Sequence, residues 1–143
     1  MENNFRSACP IASALDLMGD KWTMLIIRDM LLGGKKTFKD ISSSQEGIAT
    51  NILSSRFKLL ESFGIITKRK LPDNKKENIY LLTEKGIDLA PMVLEIVLWS
   101  DKYVREFNPQ MFPISLMGFN AEKSSVIDNI QTNYRDLVRT TIG

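Results

Sequence analysis

The chain has 143 residues, 43% hydrophobic and 25% charged, with a net charge of +2, which is typical of one folded domain. It has no histidine and one cysteine, Cys9, which excludes the Ser/His/Asp and Cys/His triads, the common zinc sites and an intrachain disulfide. We therefore expect no enzyme, metal or cofactor, and the lack of a long apolar run or leader predicts a cytoplasmic protein.

The first two predicted elements are helices that Gly19 separates. Pro10 can occupy the first turn of a helix, and apolar residues then recur at helical spacing up to Gly19. Asp20 can cap the next helix, KWTMLIIRDMLL, by accepting hydrogen bonds from its free amides. This second helix is apolar enough to lie in the core, and Gly33-Gly34 is predicted to end it.

A short helix and a turn then lead into a longer helix, which is the order of a helix-turn-helix motif. Thr37 is a suitable cap for the short helix TFKDISSS, and Gln45-Glu46-Gly47 is predicted to form the turn. The longer helix is predicted to run from about Ile48 to Phe63.

This longer helix has bulky apolar residues on one arc and short polar residues on the opposite arc. Short side chains would let a recognition helix approach base edges in the major groove, where amides and hydroxyls can read bases. We expect base contacts from its polar edge: Thr50, Asn51, Ser54 and Ser55. We expect phosphate contacts from three neighbours: Thr37, Lys39 and Lys58. The alternative is a surface helix that happens to be rich in serine and threonine.

Arg56 projects from the apolar arc of the same helix. Its stem is therefore predicted to be buried, and its guanidinium to pair with an acid such as Asp40. In that position it would brace the helix from behind. Direct contact with DNA is the alternative.

Two β-rich segments, IITKRKL and NIYLLT, flank the turn-forming segment LPDNKKE and predict a β-hairpin, or wing. Its cations suit phosphate or minor-groove contact: Lys68, Arg69, Lys70, Lys75 and Lys76. Lysines that protect an edge strand from aggregation are a second interpretation, and both can hold.

The charges of the chain are divided unevenly. Residues 35–76 hold ten Lys/Arg and four Asp/Glu, whereas the rest of the chain holds nine and thirteen. A basic middle in an otherwise acidic protein is expected where one face meets a polyanion, although a solvated charged face would give the same count.

The segment TEKGIDLAPMVLEIVLWSDKYVREF predicts a long helix, in which Pro91 either causes a kink or follows a short turn. From Met92 to Val104 its apolar residues cover more than one face. A domain of this size offers a helix one core face, so the second face is predicted to meet another subunit. After an irregular segment, Asn120 could cap a last amphipathic helix.

The sequence resembles the HxlR-type winged helix-turn-helix transcriptional regulators, relatives of the MarR group. The likeness covers roughly residues 9–105 and rests on CPI, LMGDKWTMLIIRDML, TFKDI, GIATNILSSRFKLLESFGII and YLLTEKG. The fold class it implies is mainly α (α+β), a winged helix-turn-helix with a two-stranded β wing and added N- and C-terminal dimerisation helices.

The resemblance also implies a homodimer that binds a pseudo-palindromic operator in double-stranded DNA, with repression as the expected effect. The N-terminal helix and the 92–105 helix would form the dimer interface: Ile11, Leu15, Met92, Ile96, Trp99 and Tyr103. The DNA-binding domain would span 1–106, and the last helix of the extension 107–143 is expected to pack across the dimer. The alternative is a winged-helix module whose basic face binds an acidic protein partner.

Several members of this family sense oxidants, quinones or aldehydes through a cysteine just before the first helix, and Cys9 matches that position. A thiol at a helix N-terminus gains thiolate character from the helix dipole. With no second cysteine, sensing would form an adduct or a bond to a thiol of another molecule. The alternative is a small buried side chain that packs near Trp22.

Overall fold

Helices dominate the fold, which a computed structural model describes for residues 5–119 and 121–143. The elements follow one another in this order: α1 Pro10–Met18, α2 Thr23–Leu31, α3 Phe38–Ser42, α4 Thr50–Ser62, β1 Ile66–Leu71, β2 Asn74–Leu82, α5 Glu84–Ile87, α6 Ala90–Tyr103, a 3₁₀ helix Ile114–Met117 and α7 Lys123–Ile142. This arrangement confirms the predicted winged helix-turn-helix fold class. Within the described residues, no helix is long and apolar enough to cross a membrane.

The junction between α1 and α2 forms largely as the sequence predicts. Gly19 follows α1, and the carboxylate of Asp20 accepts hydrogen bonds from the amides of Trp22 and Thr23, each at 3.1 Å. Helix α2 begins at Thr23 rather than Lys21, because Trp22 takes the cap position. Its side chains reach the centre of the core: Ile26, Ile27 and Met30 are 0% exposed.

The helix-turn-helix consists of α3, α4 and the turn between them. The hydroxyl of Thr37 caps α3 by accepting a hydrogen bond from the amide of Asp40 at 3.0 Å. In the turn, Gly47 has a φ of +73°, a left-handed conformation that glycine adopts without strain. Helix α4 begins at Thr50, two residues later than predicted, because Ala49 is still extended.

The wing is a two-stranded antiparallel ribbon of β1 and β2. Ile66 lies opposite Leu82, and the register is regular up to an irregularity between Lys70 and Leu71. The connection is shorter than the sequence suggests, since β2 already begins at Asn74. Lys75 and Lys76, which the sequence places at a loop tip, therefore belong to strand β2.

Pro91 lies in the first turn of α6, and the short helix α5 precedes it. Of the two interpretations of Pro91, a short turn before the main helix is therefore correct. On its inner side, α6 buries Ala90, Val93 and Leu94 in the core.

The C-terminal helix α7 packs against its own chain. Val126, Ile130 and Tyr134 are buried in the core shared with α2, α4 and α6, and Phe119 joins them. The expectation that this helix packs across a dimer is wrong for its apolar stripe, because the stripe is already covered within the chain. Asn120, the suggested cap, lies outside the described residues. A boundary at residue 106 stays a prediction, although side chains from both sides of it share one core.

Candidate nucleic-acid interface

Helix α4 has one face in the core and one polar face in solvent. Leu53, Phe57 and Leu60 are at most 3% exposed and fix the helix to the domain. On the other side Thr50, Asn51, Ser55 and Lys58 are exposed, and Ser54 is half-buried. The exposed edge is therefore built from short side chains near the helix start, with the lysine one turn further on.

Arg56 pairs with Asp20 rather than with Asp40. Its guanidinium lies 3.6 Å from the Asp20 carboxylate, and the Arg56 side chain is 28% exposed. The prediction that Arg56 is partly buried and pairs with an acid is confirmed. The suggested partner is wrong, because this side of α4 faces the α1–α2 junction, and the bracing role stays a prediction. Partial burial raises the pKa of Asp20, but hydrogen bonds from Thr23 and the amide of Trp22, together with Arg56, outweigh it, so the net pKa is lowered.

Phe57 joins the three elements that carry the candidate residues. Its ring packs edge-on against Phe38 of α3, with ring centroids 5.7 Å apart. It also packs at an interplanar angle of 52° against Tyr80 of the wing, with ring centroids 4.4 Å apart. Such aromatic contacts fix relative orientation as well as burying area. One buried ring thus ties α3, α4 and β2 into a single unit.

The two candidate residues at the start of α3 differ in their surroundings. Lys39 is exposed, whereas Thr37 is half-buried and its hydroxyl oxygen is occupied in capping the helix. The hydroxyl hydrogen of Thr37 can still be donated to an acceptor outside the domain.

The wing presents cations on both of its faces. Lys68 lies opposite Tyr80 and Arg69 opposite Ile79, so these neighbouring cations point to opposite sides of the ribbon. All five predicted cations are exposed: Lys68, Arg69, Lys70, Lys75 and Lys76. Asp73 and Glu77 are exposed acids on the same hairpin. The five cations outnumber these two acids, so the wing remains basic.

All six residues of the predicted dimer interface lie on the surface. Their exposed fractions run from 40% to 72%: Ile11, Leu15, Met92, Ile96, Trp99 and Tyr103. The four on α6 recur at helical spacing and form one stripe opposite the buried face. Three further large apolar residues are exposed by 68–80% beyond α6: Phe107, Phe112 and Leu116. Sequence reasoning missed these three, because an irregular segment has no periodicity that separates inside from outside.

Cys9 occupies the cap position of α1, directly before Pro10 in the first turn. The thiol is exposed, so the alternative of a buried side chain near Trp22 is wrong. The residue is therefore accessible to a reagent in solution.

Comparison with known proteins identifies similar chains. Residues 17–108 match the family described as HxlR-like helix-turn-helix. The HTH-type transcriptional regulator YodB of Bacillus subtilis (strain 168) is 38% identical over 96 residues, which are 66% of this chain and 85% of YodB. The solved structure of reduced YodB superposes with a TM-score of 0.58 at 37% identity, covering 68% of this chain and 95% of that one. The quinone-bound form of YodB gives a TM-score of 0.56 at 36% identity, covering 66% and 99%.

Proposed function

Because this chain belongs to the HxlR-like helix-turn-helix family of transcriptional regulators, we propose that it binds a pseudo-palindromic operator in double-stranded DNA as a homodimer and represses nearby genes. The observation that carries the proposal is the polar edge of α4, which is exposed directly above a face buried to 3% or less. A helix held in this way can enter a major groove without being displaced from its domain.

Base readout and phosphate contact fall to different residues in this proposal. Asn51 can pair with adenine through its amide, and the hydroxyls of Thr50, Ser54 and Ser55 can donate or accept hydrogen bonds at base edges. Phosphate contacts come from Thr37 and Lys39 at the start of α3 and from Lys58 on α4. These contacts set the register of the protein on the duplex but do not read sequence.

The wing supplies the second basic element. Because Lys68 and Arg69 point to opposite faces of the ribbon, a wing lying along a minor groove would present cations to the phosphates on both sides. Lys70, Lys75 and Lys76 add to this field. Each neutralised phosphate releases counterions, so the wing should contribute mainly sequence-independent affinity.

A homodimer accounts for the apolar surface of α6. Trp99 is 60% exposed and Ile96 48%, values that are costly for a helix whose outer side stays in water. A two-fold interface through this stripe, with Ile11 and Leu15 of α1, would cover these side chains. It would also place two copies of α4 on inverted half-sites.

Cys9 is the proposed effector site. The protein YodB, to which this chain is similar, has been solved in a quinone-bound form. For this chain we infer that the exposed Cys9 thiol adds to an electrophile such as a quinone. The sulfur bonds to a ring carbon, and the S–H bond and the C–H bond at that carbon break. The two protons end on the two quinone oxygens, so the product is a thioether of a hydroquinone and no second cysteine is needed.

Titration of random duplex DNA at low and raised salt tests the proposal. We expect the logarithm of the binding constant to fall linearly with the logarithm of the salt concentration. A protein–protein module with an acidic partner is the competing function. Absence of any salt-dependent binding to DNA would favour that module and contradict the proposal.

A further inference from the structure

A cluster of charged side chains joins α2 to the turn that precedes α4. Arg28 donates from Nη1 and Nη2 to the two carboxylate oxygens of Glu46, at 2.7 and 2.9 Å. The same guanidinium donates to Asp29 through Nε at 3.0 Å and Nη2 at 2.8 Å. Asp29 is 6% exposed, and its second oxygen accepts a hydrogen bond from the hydroxyl of Ser44. Both ends of the turn are thereby held to adjacent residues of α2.

The cluster contains equal numbers of positive and negative side chains, and its hydrogen bonds fix their orientation. Lys35 lies 3.7 Å from Asp29 and adds a second cation beside the buried carboxylate. A bidentate pair between arginine and a carboxylate restricts orientation as well as distance, which a single point contact does not. The hydrogen bonds from Arg28 hold the pKa of Glu46 at about 2, so this carboxylate stays ionised at neutral pH.

Only a short connection separates this turn from α4, so a movement of the turn would also move the start of the helix. Gly47 and the buried Ile48 separate Glu46 from Ala49, the cap of α4. Thr50 and Asn51 then form the start of the helix. A displacement of the turn would therefore move first the residues proposed to read bases.

We infer that Arg28 and Asp29 are positioning residues for operator recognition, which hold the Ser44–Glu46 turn and thereby set the place of the first turn of α4. This inference rests on the proposed function, since it concerns the geometry of base contacts. Base contacts depend on placement to a fraction of an ångström, whereas attraction to phosphates depends mainly on the number of cations. We call the contacts of Arg28 and Asp29 with this turn the clamp. Variants that loosen the clamp should therefore weaken binding to the operator and leave the affinity for random DNA unchanged.

The chain offers a matched control pair with the same chemistry. Arg135 of α7 donates to Glu84 of α5 through Nη2 at 2.8 Å and Nε at 3.0 Å. This pair joins two elements outside the helix-turn-helix. Glu84→Gln therefore removes an equivalent carboxylate without touching the turn.

The first experiment compares Glu46→Gln, Arg28→Lys and Glu84→Gln with the wild type on a selected operator and on a random duplex of equal length. For the first two variants we expect operator affinity to fall by about tenfold, with random-duplex affinity within about twofold of wild type. Glu84→Gln should leave both affinities within about twofold. Equal changes on both duplexes, no change on either, or the same loss from Glu84→Gln would overturn the inference.

The second experiment needs no DNA and follows amide hydrogen exchange over residues 44–53. In Glu46→Gln these amides should exchange several-fold faster than in the wild type, while Glu84→Gln leaves them unchanged. If amide exchange in Glu46→Gln equals that of the wild type, the proposal that these contacts hold the turn is overturned, whatever the DNA-binding result. A wild-type protein without preference for any duplex would instead contradict the proposed function, and the recognition role with it, even where exchange shows that the clamp holds the turn.

Discussion

The hydroxyl oxygen of Tyr134 accepts a hydrogen bond from the backbone amide of Leu82 at 2.7 Å, and this bond joins helix α7 to the last residue of wing strand β2. Tyr134 is 2% exposed and Leu82 4%. Burial raises the pKa of the Tyr134 phenol, so the hydroxyl stays neutral at ordinary pH. The base of the wing is thus anchored by a segment beyond residues 17–108, the part that matches the family.

Tyr134→Phe should destabilise the protein by about 1–3 kcal/mol, because the buried amide of Leu82 loses its partner while the packing volume is kept. Urea unfolding of both proteins measures the difference. Equal stability of Tyr134→Phe and wild type would mean that the bond contributes nothing.

Much of this fold could be predicted because local chemistry determines it. The Asp20 carboxylate accepts hydrogen bonds from the amides that open α2, and the Thr37 hydroxyl caps α3. The faces of α4 follow from the spacing of its apolar residues. The two-sided apolarity of α6 also follows from spacing alone. Each of these predictions needs only the positions of residues along one helix.

The rest depends on which elements meet, and sequence spacing does not encode that. The stripe of α7 indicates that one side of the helix is buried, but not that α2 and α6 cover it rather than a second subunit. The sequence predicts that Arg56 pairs with an acid, but the choice of Asp20 over Asp40 depends on how α4 crosses the α1–α2 junction. The clamp of Arg28 on Glu46 likewise joins residues 18 positions apart and had no local signal.

Acid should lower the stability of the fold, and part of this loss should come from protonation of Glu46. Its pKa is lowered from 4.5 to about 2 in the folded protein, chiefly by hydrogen bonds from Arg28 and against the effect of burial, with Lys35 also near. The ionised carboxylate therefore stabilises the fold fully above pH 4.5, and this contribution is lost as the pH falls from 4.5 towards 2. Because solvent screens the pair, the loss should be on the order of 1 kcal/mol.

Urea unfolding of wild type and Glu46→Gln at pH 7 and pH 3 measures this contribution. The variant should lose less stability on acidification than the wild type. Some acid dependence should remain in the variant, because the pKa values of Asp16, Asp20 and Glu84 are also lowered. Parallel losses in the two proteins would assign the acid sensitivity to other carboxylates.

Asn51→Ala and Lys75→Ala should weaken DNA binding in different ways. Removing the amide of Asn51 should cost about 1–3 kcal/mol on the operator and relax the base preference at one position. Removing the charge of Lys75 should weaken binding to all duplexes alike and reduce the salt slope by about 1. Fluorescence anisotropy across a salt series measures both effects. Operator affinity untouched by both changes would show that these residues do not face DNA.

Cys9 should make operator binding sensitive to electrophiles. After brief treatment with a quinone, operator affinity of the wild type should fall by about five- to 150-fold, the usual range of coupling between two sites. Cys9→Ser should keep its affinity under the same treatment, because the serine hydroxyl is a poor nucleophile at neutral pH. Equal release of DNA by both proteins would remove this cysteine from the mechanism.

Selection of preferred sequences from a pool of random duplexes tests the central claim most directly. A homodimer reading DNA through α4 should enrich one sequence made of two inverted half-sites, about 10–10.5 base pairs apart from centre to centre or a multiple of that. The same spacing would report the two-fold arrangement proposed for the α6 stripe. A pool that shows no enrichment after repeated rounds, although the protein is folded, would contradict sequence-specific DNA binding.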